Sequence, residues 1–474
     1  MVSGWPRFRL AILGSLLACA GFAAAQDGGN KGQDLNRQFQ SAVAQYDAGH
    51  LAEAAAQLEG LLPRVPKSFE VHELLGQVYA AQSQDAKAID QLETAVHLKS
   101  DSAAARTNLA ASLLHAGKPA LAGEQFRKAL ELEPQSYDAN HNLGEFYIQS
   151  GKIADACPFL AQAQRINPSS YGNGYDLALG YFLTGHDDQA RQLIQSLVAG
   201  NNTGELHNLL GQIDEKDGQF VAAANEFQTA AHLDPNEDNL FAWGSELLLH
   251  QAYGPAIEVF QQAVQRYPSS SRLKIGLGIA MYSGARYEEA VGALLAAVDL
   301  NSSDPRCYYF LSKAYDMSPH QAADVIQRFQ RYAELQPGNA LAQYYYAMSL
   351  WKGKQAEGGS TDLKEVEALL QKSIELNHAL PDAHMQLGNL YADQHEYDKS
   401  IPEYVHALEL NPNLADAHYR LAQDYVRTGQ KDRAQAEFAV YQKVRAQHMA
   451  EIDKEGAEVR QFVYSAKDGA ATRQ

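Results

Sequence analysis

Ala103–Ser136 reads AAARTNLAASLLHAGKPALAGEQFRKALELEPQS, and the rest of the chain is built from this unit. Leu109, Leu113 and Leu114 recur at helical spacing and are followed by the break Gly117-Lys118-Pro119. A second helical run carries Ala122, Phe126, Ala129, Leu130 and Leu132 and stops at Pro134. Glycine ends the first helix without a Cβ penalty. Proline presets φ for the start of the second, and Pro134 cannot prolong it. Small residues Ala110 and Ala122 let the two helices cross closely, with Leu109 and Phe126 filling the space beside the crossing. One such hairpin cannot bury its own apolar face, so copies are expected on either side.

The copies begin at Leu35, Phe69, Ala103, Tyr137, Tyr171, Gly204, Glu237, Ser271, Pro305, Ala340, Pro381 and Ala415. Successive starts lie 33 to 35 residues apart, with one wider step after Ala340. The eighth position is small (Ala42, Gly76, Ala110, Gly144, Ala178, Gly211, Gly244, Gly278, Gly388, Ala422), and alanine recurs at the twentieth from Ala54 to Ala434. Large apolar side chains mark the twenty-fourth, as in Phe227, Phe260, Tyr404 and Phe438, and prolines such as Pro66, Pro168, Pro235 and Pro412 close the unit. This pattern closely resembles the tetratricopeptide repeat, and the resemblance covers most of the chain. It implies an all-α, right-handed α-solenoid (superhelix) of about twelve helical hairpins. Such an array is not bound by the size limit of a single core, so 474 residues fit one stack.

The flanks break the pattern. Within residues 1–25, Arg7 and Arg9 precede an apolar run from Leu10 to Ala20 and a small-residue end, Ala23-Ala24-Ala25. That is the form of a secretory signal peptide, so export to a periplasm or the extracellular space is expected, with cleavage before Gln26. The run is short for a membrane span. Leu16-Leu17-Ala18-Cys19 also resembles a lipobox, which would make Cys19 a lipidated N-terminus and the protein an outer-membrane lipoprotein. Residues 26–34 read as a flexible lead. Units one to eight occupy 35–304. Units nine and ten, 305–380, are irregular: Ser318-Pro319-His320 replaces the turn glycine, and a loop over 353–361 separates the helices of unit ten. Units eleven and twelve fill 381–448. A capping helix over 449–464 and a disordered tail over 465–474 complete the expectation.

The chain carries 39 basic and 57 acidic residues, a net charge of −18, which becomes −20 without Arg7 and Arg9. That balance disfavours nucleic acid and anionic lipid as partners, leaving a membrane role only through lipidation at Cys19. Cys157 and Cys307 fall five units apart. At roughly 10 Å per helix layer they cannot pair, and both are expected buried.

In the family the resemblance points to, first helices line a groove through positions five, nine, twelve and thirteen. Carried over, these positions give a polar stretch with Thr107, His115, His141, Glu145 and Gln149, with Asn108 and Asn142 alongside. They also give an apolar stretch with Tyr175, Leu179, Phe182, Leu183, Phe241, Leu248, Leu249, Ile275, Ile279 and Tyr282. Two readings stay open: an aromatic-lined groove for a protein or peptide partner, or burial against neighbouring first helices. The family's carboxylate clamp needs lysine at position five, where this chain has Phe39, Glu73, Thr107, His141, Tyr175, Asn208, Phe241, Ile275, Met385 and Tyr419; the clamp is missing. His72, His207, His384 and His418 share position four and read as packing residues rather than zinc ligands. No phosphate loop, nucleophile elbow or haem motif occurs, so no catalytic residue, metal or cofactor is expected. The expectation is a scaffold or adaptor, with an accessory of an envelope assembly or polymer-export machine as the alternative.

Overall fold

The computed structural model describes residues 30–318, 321–356 and 363–448. Among them every regular element is an α-helix, 24 in all, arranged as twelve hairpins. The chain divides into two compact units, one ending at Ile213 and one beginning at Asp214.

The first unit holds the hairpins α1 (Asn30–Asp47)–α2 (Leu51–Leu61), α3 (Phe69–Ala81)–α4 (Asp85–Leu98), α5 (Ala103–His115)–α6 (Pro119–Leu132), α7 (Tyr137–Gln149)–α8 (Ile153–Ile166) and α9 (Tyr171–Leu183)–α10 (Asp187–Val198), then most of α11 (Gly204–Lys216). The second holds α12 (Phe220–Leu233), α13 (Glu237–Leu249), α14 (Tyr253–Arg266), α15 (Ser271–Ser283), α16 (Tyr287–Leu300), α17 (Pro305–Met317) and α18 (Ala322–Leu335). It continues through α19 (Ala340–Ala356), α20 (Leu363–Leu376), α21 (Pro381–Asp393), α22 (Tyr397–Leu410), α23 (Ala415–Arg427) and α24 (Lys431–His448). From Phe69 onward, each first helix begins on the residue at which its sequence unit starts.

Local chemistry explains the boundaries. Ser68, Ser102, Ser136 and Ser270, each just ahead of a first helix, accept a hydrogen bond from the amide three residues on, as does Asn236. These are N-caps, worth about 1 kcal/mol each. Wherever the turn inside a hairpin is among the described residues, it uses a left-handed residue, glycine at positions such as 117 and 151 but Ser83, Gln251, Ala285, Gln321 and His395 elsewhere. In unit nine it is Gln321, at φ 59°, that takes the place of the turn glycine.

Packing inside a hairpin pairs position eight with position twenty-four. A Cβ added at Gly76, Gly144 or Gly278 would lie 2.5 to 2.6 Å from Leu92, Leu160 or Leu294, and one at Gly388 would lie 2.8 Å from Tyr404. The glycines therefore seat the large side chains. Alanines at position twenty, from Ala54 to Ala290, are wholly buried at the crossings. Phe126, Phe227 and Phe260 are at most 1% exposed, and each contributes about 1.5–3 kcal/mol through burial. Histidines at position four tie units together. His72 lies 2.8 Å from Gln91 and 3.1 Å from the carbonyl of Pro66, and His418 makes the equivalent contacts with Glu437 and the carbonyl of Pro412.

Two expectations need adjustment. The stretch expected as a flexible lead is helical from Asn30, because α1 begins there. The expected loop over 353–361 is helical through Ala356; its remainder lies outside the described residues. Gly353 lies in that helix, and Tyr315 and Ile326 come within 2.9 Å of where a Cβ on it would be, which leaves room there for glycine alone. The signal peptide over 1–25, Cys19, the capping helix over 449–464 and the tail over 465–474 also lie outside the described residues. Cys157 and Cys307 are free and buried. Among the described residues no helix is long and apolar enough to cross a membrane.

Candidate functional site

The apolar residues assigned to a groove separate into two groups. In the second unit Phe241, Leu248 and Ile279 are at most 2% exposed, and Ile275 is fully buried. They are core residues, so of the two readings left open these four take burial against neighbouring helices and do not line a groove. The reason is packing: α13 touches α15 and α15 touches α17 directly, so these positions meet the next first helix instead of solvent. Phe241 also packs edge-on against Phe260, with ring centroids 6.0 Å apart, and carries Arg272 4.6 Å above its ring. Tyr282 remains half-buried beside Tyr287.

In the first unit Tyr175, Leu179 and Phe182 are half-buried, leaning on the cluster of Ala178, Ile194, Leu206 and Ile213. Tyr175 stacks on Tyr171, whose hydroxyl reaches Thr203 at 2.8 Å and Glu205 at 2.9 Å. Burial pushes the Tyr175 phenol up, and nearby Glu205 adds to this. His141 stacks on Tyr137 and sits 3.1 Å from Asn173 Oδ1, while Asn142 beside it is half-buried. The side chain of Asn173 is held in turn by the Leu160 carbonyl and Gln164.

One concavity is lined by residues that the sequence did not single out as a site. Between α21, α23 and α24 lies a cavity of about 500 Å³ lined by Met385, Gln386, Asn389, Asp416, Tyr419, Arg420, Gln423 and Tyr441. Repeat geometry explains it: these are positions five, six and nine of the last two units, with Asp416 and Tyr441 at the rim. Apart from Met385 and the two tyrosines they are polar, unlike the corresponding residues of α13 and α15. Asn389 is fixed by accepting from the Tyr404 hydroxyl at 2.8 Å and donating to Gln386 at 3.0 Å. Tyr419 is 39% exposed, between Phe438 and Tyr441. Arg420 makes no ion pair or hydrogen bond among the described residues. Three carboxamides can bond the peptide groups of an extended chain in both directions, and two phenols give it a flat apolar surface. In the sequence, Met385 and Tyr419 stand out only as residues that fail a lysine requirement.

A second cavity, about 530 Å³, lies between α16 and α18 and is lined by Asp299, Gln327, Arg328, Gln330, Arg331 and Glu334. Arg328 there makes ion pairs of 3.1 Å to Asp299 and Asp324. No three His, Cys, Asp or Glu side chains among the described residues are grouped to hold a metal ion.

Family models agree with this architecture. A model described as TPR repeat matches residues 388–429. Two described as tetratricopeptide repeat match residues 113–172 and residues 39–104, 86–136 and 241–305. The chain belongs to the tetratricopeptide-repeat proteins. As a class these are protein-interaction scaffolds, generally without enzymatic activity. No curated protein matches it. Among solved structures it is similar to Naa15/Naa10 bound to HypK-THB, at 17% identity over 86% of this chain and 68% of that one, with a TM-score of 0.37. It is also similar to pilF of Pseudomonas aeruginosa, at 18% identity over 44% of this chain and 95% of that one, TM-score 0.39. A third is YrrB, a TPR protein with an unusual peptide-binding site, at 20% identity over 40% and 97%, TM-score 0.34. At these identities and TM-scores the likenesses bear on neither site nor partner.

Proposed function

We propose that the protein is an exported adaptor that holds an extended segment of a partner protein in the cavity between α21, α23 and α24. The observation that carries this reading is the set of three carboxamides, two tyrosines and a guanidinium without an ion pair among the described residues, all lining about 500 Å³ of open space. Carboxamides recognise the peptide backbone, which any extended chain presents. The tyrosines and Met385 add apolar contact, so side-chain selectivity rests with Arg420 and Asp416.

The test is selection from a random peptide library on the chain from Gln26 onward, followed by fluorescence anisotropy of the enriched peptides. Tyr419→Ala combined with Gln423→Ala is expected to weaken them at least about tenfold, as loss of a buried aromatic anchor and a hydrogen bond does. Enriched peptides that bind the double variant as well as the unaltered protein would defeat the proposal. Export rests on the pattern from Arg7 to Ala25. The lipoprotein reading rests on Leu16-Leu17-Ala18-Cys19. Intact mass separates them: a mature chain starting at Gln26 supports the former, a diacylglyceryl-modified Cys19 the latter.

A further inference from the structure

The cavity between α21, α23 and α24 has a hydrogen-bonding polarity, and one buried phenol sets it. Tyr404 stands at position twenty-four in α22, where other units place Leu92, Leu160 or Phe260, which carry no polar atom. Its side chain is wholly buried, with Cε1 2.8 Å from where a Cβ on Gly388 would be. The hydroxyl lies 2.8 Å from Asn389 Oδ1 and makes no other hydrogen bond among the described residues. A buried O–H proton needs an acceptor, so the phenol donates and Asn389 turns its oxygen toward it. The Asn389 nitrogen is then free to donate to Gln386 Oε1, at 3.0 Å. With that oxygen occupied, Gln386 is left presenting its N–H groups.

Donors therefore dominate the walls. Asn389 keeps one N–H beyond its bond to Gln386, and Arg420 adds a guanidinium that only donates. Arg420 lies near Asp424, but that carboxyl already accepts from Ser400 and, at 3.4 Å, from Arg427. The Tyr441 hydroxyl accepts from Arg445 at 3.3 Å and retains its own proton to give. On the acceptor side stand the Gln423 carbonyl and the exposed Asp416 at the rim. Beside the donors lies an apolar face, made of Met385 and of Tyr419 with its ring centroid 5.2 Å from that of Tyr441.

A segment with an N–H at every residue uses such a wall poorly, because the N–H groups that face Gln386 and Asn389 meet donors. Each proline removes an N–H, and polyproline II has no internal hydrogen bonds, so its carbonyls are all free to accept. Its preformed helix also docks readily in aromatic-lined grooves. We propose that the partner segment held in this cavity is proline-rich and lies in the polyproline II conformation. Its carbonyls accept from Gln386, Asn389 and the Tyr441 hydroxyl, and its prolines pack on Tyr419, Tyr441 and Met385. The inference rests on the reading of the cavity as a docking site and adds the chemistry of the occupant.

The experiment titrates the chain from Gln26 onward into a labelled oligoproline of about ten residues and into a glycine–serine peptide of equal length, both followed by anisotropy. Oligoproline is expected to bind at least about tenfold more tightly, through its free carbonyls and its smaller ordering cost. Gln386→Glu replaces the outward N–H groups by an acceptor and is expected to weaken oligoproline at least about tenfold. Tyr404→Phe removes the donor that orients the two carboxamides. It is expected to fold, since Phe126, Phe227 and Phe260 hold the same position in other units. In that variant Asn389 and Gln386 can face either way, so the preference for oligoproline over the glycine–serine peptide is expected to fall about fivefold, the scale of one hydrogen bond. A purely structural role for Tyr404 would leave that ratio unchanged. The proposal is overturned if oligoproline binds no more tightly than the glycine–serine peptide, or if Gln386→Glu and Tyr404→Phe leave it unaffected. Oligoproline held equally by the Tyr419→Ala, Gln423→Ala double variant is bound elsewhere and overturns it too. The docking-site reading is decided separately: library peptides that the double variant loses while oligoproline fails to bind would keep the site and sink only the proline-rich occupant.

Discussion

Gly276 sits between two units, and replacing it tests the packing rule that joins them. A Cβ at this position would lie 2.6 Å from Cε1 and 2.8 Å from Cζ of Phe260, the position-twenty-four residue of the preceding hairpin. The ring cannot withdraw. It is fully buried, held edge-on by Phe241, and already within 3.0 Å of where a Cβ on Gly244 would stand. Overpacking of this kind costs about 1–3 kcal/mol, while alanine in place of helical glycine returns about 1 kcal/mol. Gly276→Ala is therefore expected to lose up to about 2 kcal/mol net. Phe260→Leu shortens the offending side chain. The next hairpin already makes that choice, with Leu294 at position twenty-four and the bulky Phe310 in the place of Gly276. In the Phe260→Leu background, Gly276→Ala is expected to reverse sign and stabilise by up to about 1 kcal/mol, giving a coupling of about 2 kcal/mol. Because a repeat array does not unfold as one unit, the readout is local: hydrogen exchange at the amides of α14 and α15, alongside urea unfolding. Equal destabilisation by Gly276→Ala in both backgrounds would refute the reasoning, since it would place the cost in the backbone and not in the ring.

Other outcomes follow from buried polar groups. Glu73 titrates near 7 in the folded state against 4.5 ordinarily, so the unfolded chain ionises first and stability falls as pH rises from about 4.5 to about 7. The loss is up to about 3 kcal/mol, and Glu73→Gln is expected to flatten the urea midpoint between pH 5 and pH 8; an unchanged slope would contradict the burial argument. Ser400 and Asp424, at most 1% exposed, share a hydrogen bond of 2.5 Å. Ser400→Ala leaves that carboxylate short of a donor, so a loss of about 1–3 kcal/mol is expected in thermal unfolding followed by circular dichroism. Burial raises both the Cys157 and the Cys307 thiols, the latter to about 12, so both are expected to resist a thiol reagent until denaturant is added. Rapid labelling of Cys307 in the native protein would show that α15 and α17 do not seal it.

The repeat was legible because its determinants are local. Serine before a first helix, glycine or a tolerated substitute in the turn, and glycine at position eight opposite a large residue at twenty-four all act within one hairpin. Their spacing therefore fixes the helix ends. Even unit nine, where Ser318-Pro319-His320 interrupts the pattern, keeps its left-handed turn, moved to Gln321.

The site was only partly legible, because exposure depends on what the next hairpin places opposite each residue. Position five is Phe241 in one repeat and Tyr419 in another, and nothing within either repeat says that the first is buried and the second open. Close contact among α13, α15 and α17 draws Phe241, Leu248 and Ile279 into the core. The polar positions six and nine of α21 and α23 leave a cavity instead. The burial that raises the Glu73 and Asp176 carboxyls is likewise invisible in a net charge of −18. The sequence by itself determined the hairpin, its length and the number of copies, since those follow from spacing along the chain. Only the tertiary structure decided which inner residues meet water, because that depends on how side chains of successive repeats fill the space between them.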